Sequence, residues 1–293
     1  MINYSVIIPH FNRQELLKRC LDSIPQRDDV EVIIVDDHSD PGKVDFANFP
    51  GLHRKNTTCI FSDGKHGKGP GYARNVGLEK AQGKWVIFAD SDDYFLPSMS
   101  AIMDDYLEIE DDVVYFKCVK EDCAGNISID DGYLNPQIDA ALLGNDDLLL
   151  YATSCPWAKL IKKAFLVKNN IYFEEIIGGD DARFSIDIAR FTNKRRYTNE
   201  SFYCVVMASD SLTRTDSWKP LYSFVKSSCA EYGLLQTIGR QHYAEPSIKT
   251  WWKKLYDKSR LRSLMLLPLI CRTIGLRKTI VLLKKTVKAK VYE

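Results

Sequence analysis

Trp85-Val-Ile-Phe-Ala-Asp-Ser-Asp-Asp-Tyr94 is the stretch on which the fold turns. Its apolar residues pass straight into the carboxylates of Asp90, Asp92 and Asp93. A short apolar run bounded by a turn-forming cluster reads as a buried strand that ends at solvent. In open α/β sheets, ligands bind beyond the carboxyl ends of the strands. Carboxylates crowded at such an end repel one another unless a cation sits among them. A hard divalent ion with oxygen ligands is the natural partner, and it would carry phosphate with it. The alternative reading is an acidic loop that caps the next helix, since Asp is a favoured N-cap.

The same pattern recurs on the N-terminal side. Tyr4-Ser-Val-Ile-Ile-Pro9 reads as a central parallel strand that leaves through Pro9-His-Phe-Asn12. Apolar residues at helical spacing follow over 13–24. Val30-Glu-Val-Ile-Ile-Val35 is a second strand, leaving through Asp36-Asp37-His38-Ser39-Asp40, and Thr57-Thr-Cys-Ile-Phe61 is a third. A glycine-rich basic loop, Gly64-Lys-His-Gly-Lys-Gly-Pro-Gly71, then leads into a helix over 72–81. Strands alternating with helices imply right-handed βαβ units and a mostly parallel sheet, so the strand exits share one edge. Carboxylates for a metal, Lys65, Lys68 and Arg74 for phosphates, and the Phe11 ring for a base gather there. That is the composition of a nucleotide-diphosphate site. A Rossmann site needs GxGxxG directly after the first strand, and a P-loop needs GxxxxGK[ST]; neither is present.

Val6-Ile-Ile-Pro-His-Phe-Asn12, Val35-Asp-Asp-His-Ser39, Gly69-Pro-Gly-Tyr-Ala-Arg-Asn-Val-Gly77 and Asp90-Ser-Asp-Asp93 together resemble the ordered blocks of family 2 glycosyltransferases. The resemblance implies a GT-A fold: Rossmann-like, with a mostly parallel central sheet, helices on both faces and here a C-terminal helical extension. It also implies a UDP-sugar donor, a Mn2+ or Mg2+ ion, and inversion at the anomeric carbon. On this resemblance Pro9, Phe11, Asn12, Asp37, Gly69, Arg74, Asp90 and Ser91 bind the donor nucleotide. Phe11 stands where the family usually has Tyr. Asp36 supports Asp37, which faces the uracil imide, and Asp92 is the metal ligand of the DxD pattern. Asp93 is left between that cluster and a cap for a helix over 97–107. His10 reads as a pocket wall rather than a catalytic group.

In the second half, Val113-Val-Tyr-Phe116 is a strand, a hairpin leads to a second strand at 127–129, and 142–152 is helical. Cys155-Pro-Trp-Ala-Lys-Leu-Ile-Lys162 resembles the family's Trp-x-Lys-Leu segment and precedes a helix at 163–169. It implies acceptor contacts from Trp157 and Lys159; the other reading of Trp157 is ordinary core. Ile176-Ile-Gly-Gly-Asp-Asp-Ala-Arg-Phe184 resembles the Gly-Glu-Asp-x-x-Phe block, with Asp180 in place of Glu. It implies Asp181 as the base that takes the acceptor proton and Asp180 as its partner. A swap of these roles and simple helix capping stay open. Asn199 to Met207 is a last strand, a polar loop carries Arg214 and Trp218, and 221–239 is helical.

The resulting division is a donor half over 1–110, an acceptor half over 111–215, and a basic helical extension over 216–293. From Lys249 to Glu293 there are 13 Lys or Arg and 2 acids, so an acidic body carries a tail of +11. Basic, aromatic and aliphatic residues at helical spacing are the pattern of an interfacial helix, and the resemblance, whose bacterial members often use lipid-linked acceptors, implies peripheral contact of residues 249–291 with the inner face of the cell membrane. A helical cap on the catalytic body and a homodimer contact are the alternatives. No nucleic-acid recognition motif accompanies the basic stretch, so no nucleic-acid partner is expected. The 8 cysteines form no CxxC pair, and no export signal or membrane-length apolar run stands out, so a cytoplasmic location with reduced thiols is expected. The acceptor implied is a saccharide or lipid-linked saccharide of bacterial capsule, exopolysaccharide or lipopolysaccharide. The rival functions are a nucleotidyltransferase, whose GxGxR loop is missing, and a catalytically inactive GT-A module that binds nucleotide as a scaffold.

Overall fold

The computed structural model describes residues 1–65, 67, 69–129, 132–207 and 217–289, with side chains as far as Lys284. Lys68, Arg214 and the chain beyond 289 lie outside the described residues. The first half alternates as its periodicities dictate: β1 (Tyr4–His10), α1 (Gln14–Ser23), β2 (Val30–Asp36), β3 (Thr57–Phe61), α2 (Pro70–Lys80) and β4 (Trp85–Phe88). Every residue of β1, β2 and β4 is buried, which is why their apolar residues run together rather than alternate; Ser5 and Glu31, polar residues inside β1 and β2, are bonded to each other at 2.6 Å. Then follow β5 (Tyr94–Phe95), α3 (Met99–Tyr106), β6 (Val113–Glu121), β7 (Ile127–Ser128), α4 (Asn135–Leu142), α5 (Asp147–Tyr151), β8 (Lys159–Lys162), α6 (Lys163–Lys168), α7 (Asp180–Phe191) and β9 (Arg195–Val206).

The strands form a nine-stranded sheet of order β3-β2-β1-β4-β8-β6-β9-β5, with β7 paired to β6. β1 to β4 are mutually parallel. β8 lies antiparallel between β4 and β6, and β9 is parallel to β6. β6 and β9 therefore run in the same sense as β1–β4, while β5, β7 and β8 run against them. In register, His10 lies beside Asp36, and Phe88 beside Ile7, so the β1, β2 and β4 exits open on one edge.

Two departures from the sequence reading stand out. Residues 159–162 form a central strand, because Leu160 and Ile161 are wholly buried between two apolar neighbours. The helix expected over 142–152 shrinks to α5, and a helix not expected, α4, precedes it and ends at Leu142, just before Gly144 at φ 88°.

The extension comprises α8 (Trp218–Gln236), a 3-10 turn at Gln241–Tyr243, α9 (Glu245–Lys258), α10 (Arg260–Met265), α11 (Leu267–Ile274) and α12 (Leu276–Ala289). It has its own apolar cluster, in which Val225, Leu235, Ile248, Trp252, Leu255 and Ile270 are buried, and it meets the body at Ile186 of α7. Trp251 stacks on Phe224 at 4.2 Å. The α9 part of the expected membrane segment is thus packed on α8, with Ile248, Trp252 and Leu255 in the extension's own core. No described helix is long and apolar enough to cross a membrane.

Candidate active site

The first two strand exits are locked together by His10. Its Nδ1 meets Asp36 Oδ1 at 2.7 Å, and its Nε2 accepts the Arg13 N–H at 3.1 Å, so the ring proton lies on Nδ1. Burial acts to raise the Asp36 carboxyl, but hydrogen bonds from His10 and Ser39 prevail and hold it below the usual carboxylate range. His10 is therefore a buried brace, as are Asp36 and Ser39. The Asn12 side-chain carbonyl accepts the Asp40 N–H at 2.7 Å, so Asn12 also secures the loop. Phe11 is left at the mouth, 54% exposed, with its ring open to a base. Asp37 Oδ2 accepts the Gly69 N–H at 2.7 Å, tying the glycine-rich loop to the β2 exit. Gly69 has φ 96°, a conformation that favours glycine. Lys65 is exposed on that loop, near Asp63.

Asp90, Asp92 and Asp93 offer carboxylate oxygens that all lie within 4.8 Å of one another. Oxygens on one Mg2+ at about 2.1 Å are at most about 4.2 Å apart, so a small closure brings this hard, anionic donor set onto one ion. Asp90 and Asp92 are half-buried and face the opening, whereas Asp93 is buried behind them. Asp93 accepts from the Tyr203 hydroxyl at 2.7 Å and from the Val206 N–H at 2.8 Å. Burial first, then the charges of Asp90 and Asp92, push its proton affinity well above the usual range. Asp93 joins the cluster to β9 and does not cap α3, which starts six residues on. The Arg13 guanidinium binds Asp92 from the other side, and Arg19 donates to the Asp92 carbonyl at 3.3 Å. Ser91 is buried between the acids.

Asp180 and Asp181 open α7 behind Gly178 and Gly179. Gly179 has φ 82°, and a Cβ there would stand 2.8 Å from the Ser227 side chain, so the turn is built for glycine. Ser223 and Ser227 of α8 donate to the Gly178 and Gly179 carbonyls at 3.1 and 2.8 Å. The extension thereby fixes the turn that carries the acids. Neither aspartate occupies the N-cap, which is Gly179. Asp180 is buried and receives Arg74 Nη1 at 2.6 Å, while Arg74 Nη2 reaches Asp90 at 2.6 Å. Burial disfavours the Arg74 charge, but Asp180 and Asp90 outweigh it and hold the proton more tightly than usual. Asp181 remains half-buried; burial, then the adjacent Asp180 charge, push it up to about 7. A carboxylate poised near neutrality has the proton affinity a general base needs.

Of the residues read as acceptor contacts, Lys159 is placed otherwise. It is buried, donates to the Cys155 carbonyl, and lies 5.3 Å from the Tyr115 ring centroid. Its ammonium is turned into its own loop. Trp157 is half-buried and stacks on Tyr203 at 5.7 Å, between core and cleft, beside Ala158 at φ 54°.

The sequence reading missed Arg13, Tyr203 and Glu231. Arg13 and Tyr203 are legible only once the fold brings the β1 exit and β9 to Asp92 and Asp93. Glu231 follows Ser223 and Ser227 at intervals of four on α8, the face that meets the acidic turn. Burial, then the Asp181 charge, push it up to about 8. A polar stripe on an otherwise apolar helix was the available signal.

The strand order and the acidic β4 exit define a GT-A fold. Residues 5–140 match the family model described as Glycosyl transferase family 2. A GalNAc(5)-diNAcBac-PP-undecaprenol beta-1,3-glucosyltransferase of Campylobacter jejuni is 30% identical over 220 residues, which cover 73% of this chain and 68% of that one. An uncharacterized glycosyltransferase of Escherichia coli, YibD, is 27% identical over 72% of this chain, which spans 63% of its length. The crystal structure of Staphylococcus aureus TarS 1–349 in complex with UDP-GlcNAc superposes with a TM-score of 0.65 at 20% identity, over 96% of this chain and 84% of that chain. The chain belongs to glycosyltransferase family 2.

Proposed function

We propose that the protein is an inverting, metal-dependent glycosyltransferase. It moves a hexose or N-acetylhexosamine from a UDP-sugar to a saccharide or lipid-linked saccharide in bacterial surface-glycan assembly. The observation that carries this reading is Arg74, which joins the Asp90 exit to Asp180 and so brings the acids read for donor and acceptor side by side. The UDP-GlcNAc bound to TarS and the undecaprenol-linked acceptor in the Campylobacter enzyme's name support the same substrates here.

In this reading Phe11 stacks on the uracil, Asp37 and the Gly69 loop border it, and Asp90 lies by the ribose and sugar. Asp92, with Asp90, would hold Mg2+ or Mn2+; the chemistry a bound ion supplies is neutralisation of charge developing on the leaving diphosphate. Asp181 accepts the proton of the acceptor hydroxyl as that oxygen attacks the anomeric carbon from the face opposite the diphosphate. Asp180, gripped by Arg74, keeps Asp181 in place. Trp157 offers a ring edge to the acceptor. A cytoplasmic location and peripheral contact with the inner membrane face belong to the same reading.

A UDP-release assay across a panel of UDP-sugars, with Mn2+, Mg2+ or chelator, tests it. Turnover with one donor that chelation abolishes is expected. UDP binding without turnover on any donor would sink the enzyme reading in favour of an inactive nucleotide-binding module.

A further inference from the structure

A surface helix buries one stripe and shows a polar one to water. The last three helices do not follow that rule. On α10 and α11, Ser263, Leu266, Ile270 and Ile274 face inward and are buried. On the opposite side, Leu261, Leu264, Met265 and Leu269 recur at the same helical spacing and are exposed, Leu261 by 74% and Met265 by 66%. Across Gly275 the pattern resumes on α12, where Leu276, Ile280 and Val281 are exposed while Leu282 is buried. These segments therefore carry a second apolar stripe that the protein's own core does not use.

The charge around that stripe has one sign. Between Arg260 and Lys284 there are 6 Lys or Arg and no acid. Arg262 lies on the Trp218 ring at 3.8 Å and Lys278 on Glu245, but Arg272, Arg277 and Lys284 are exposed beside the apolar residues. A contiguous apolar surface rimmed by cations fits an anionic bilayer, into which leucines dip while the basic groups meet lipid phosphates. A twofold self-association would instead set this cationic patch against its own copy, since an isologous interface repeats one surface on both subunits.

We infer that the outward stripe of α10–α12 docks the protein on anionic lipid. This deepens the membrane contact proposed above and rests on that reading for its purpose. It also relocates the contact, because Trp251 and Trp252 of α9 are packed on α8 and into the extension's own core.

The test is flotation of the full chain with phosphatidylcholine vesicles, with and without phosphatidylglycerol. The expected result is flotation with the anionic vesicles that weakens as salt rises. The variant Leu261→Ser/Met265→Ser/Leu269→Ser should lower partitioning at least roughly ten-fold. The exposed-charge variant Arg272→Gln/Arg277→Gln/Lys284→Gln should lower it roughly five-fold per charge and flatten the salt dependence. UDP binding, which these side chains do not touch, reports that the variants are folded. The inference is overturned if the wild type ignores both vesicles, or if both variants float as it does. A dimer in sedimentation velocity that the serine variant dissolves, with no wild-type flotation, would also overturn it and assign the stripe to a second copy. Flotation needs no turnover, so it can fail while UDP release succeeds, and the reverse.

Discussion

Arg74 places one guanidinium between Asp90 and Asp180, 2.6 Å from an oxygen of each, and so couples the acidic exit of β4 to the first turn of α7. Removing one member of a buried ion network is far more damaging than replacing the set, because the remaining charges lose their partner. Arg74→Met should therefore destabilise the protein by roughly 3–5 kcal/mol and abolish UDP formation. Arg74→Met/Asp180→Leu should recover much of the stability but none of the activity. Chemical denaturation and UDP release, run on both variants, check the split; equal loss of stability in the two would show that the network is not the cause.

Asp181 is held up to about 7, against about 4 for an unperturbed carboxyl. If it is the base, UDP formation should rise with pH and level off above about 7. Asp181→Asn should lower the rate roughly 10²–10⁴-fold and remove that limb. The stability effect has the opposite sign. The folded state binds the proton more tightly than the unfolded chain, so wild-type stability falls as pH rises from about 4 to about 7. Asp181→Asn should thus be the more stable protein at pH 8, by about 1–3 kcal/mol. A variant less stable than wild type at that pH would contradict the buried, strained carboxylate.

Asp92 shares its carboxylate between the Asp90–Asp93 cluster and Arg13. Asp92→Asn should weaken Mn2+ binding, measured by calorimetry in the presence of UDP, and reduce turnover roughly 10²–10⁴-fold, the scale of several kcal/mol of charge stabilisation. Folding should change little, because the group is half-exposed and Asp93 keeps its bonds to Tyr203 and Val206. Unchanged Mn2+ affinity would remove Asp92 from the ligand set.

The donor half was legible because β1, β2 and β4 are buried throughout and end in turn-forming residues, acidic after β2 and β4; period and punctuation coincide there. β8 was not, because four residues bounded by a helix carry no period that separates strand from helix, and only its neighbours β4 and β6 make it a strand. The site divides in the same way. Residue types at the exits announce a cation and a phosphate, but which acid faces the opening is a tertiary fact. Asp93 adjoins Asp92 in sequence, yet it is claimed by Tyr203 and Val206 from β9. Lys159 shows the limit most clearly. A lysine beside a tryptophan suggests a phosphate contact, whereas the tight turn at Ala158 points its ammonium back at Cys155.

That geometry makes Lys159 a test of its own. Lys159→Met keeps the aliphatic bulk and removes only the donor, leaving the Cys155 carbonyl to find another. The expected outcome is a loss of about 1–3 kcal/mol in stability with the KM for donor and acceptor unchanged. A raised acceptor KM in a protein of normal stability would restore the acceptor-contact role.

Glu231 reaches the acidic turn from α8, and it is pushed up to about 8 by burial and then by Asp181. Its titration is coupled to that of Asp181, which loses its proton first. Glu231→Gln keeps the shape and deletes the second charge. Because Glu231 keeps its proton until about 8, it is neutral while Asp181 titrates, so the limb set by Asp181 should stay near 7 in this variant. Because the folded form of Glu231 holds its proton from about 4.5 up to about 8, wild-type stability declines across that window, and Glu231→Gln should remove this part of the decline. Thermal unfolding at pH 9 should place the variant above the wild type. In an Asp181→Asn background the Glu231 part of the decline should end at lower pH, because the charge that helps raise it is gone; an unchanged end would separate Glu231 from the base.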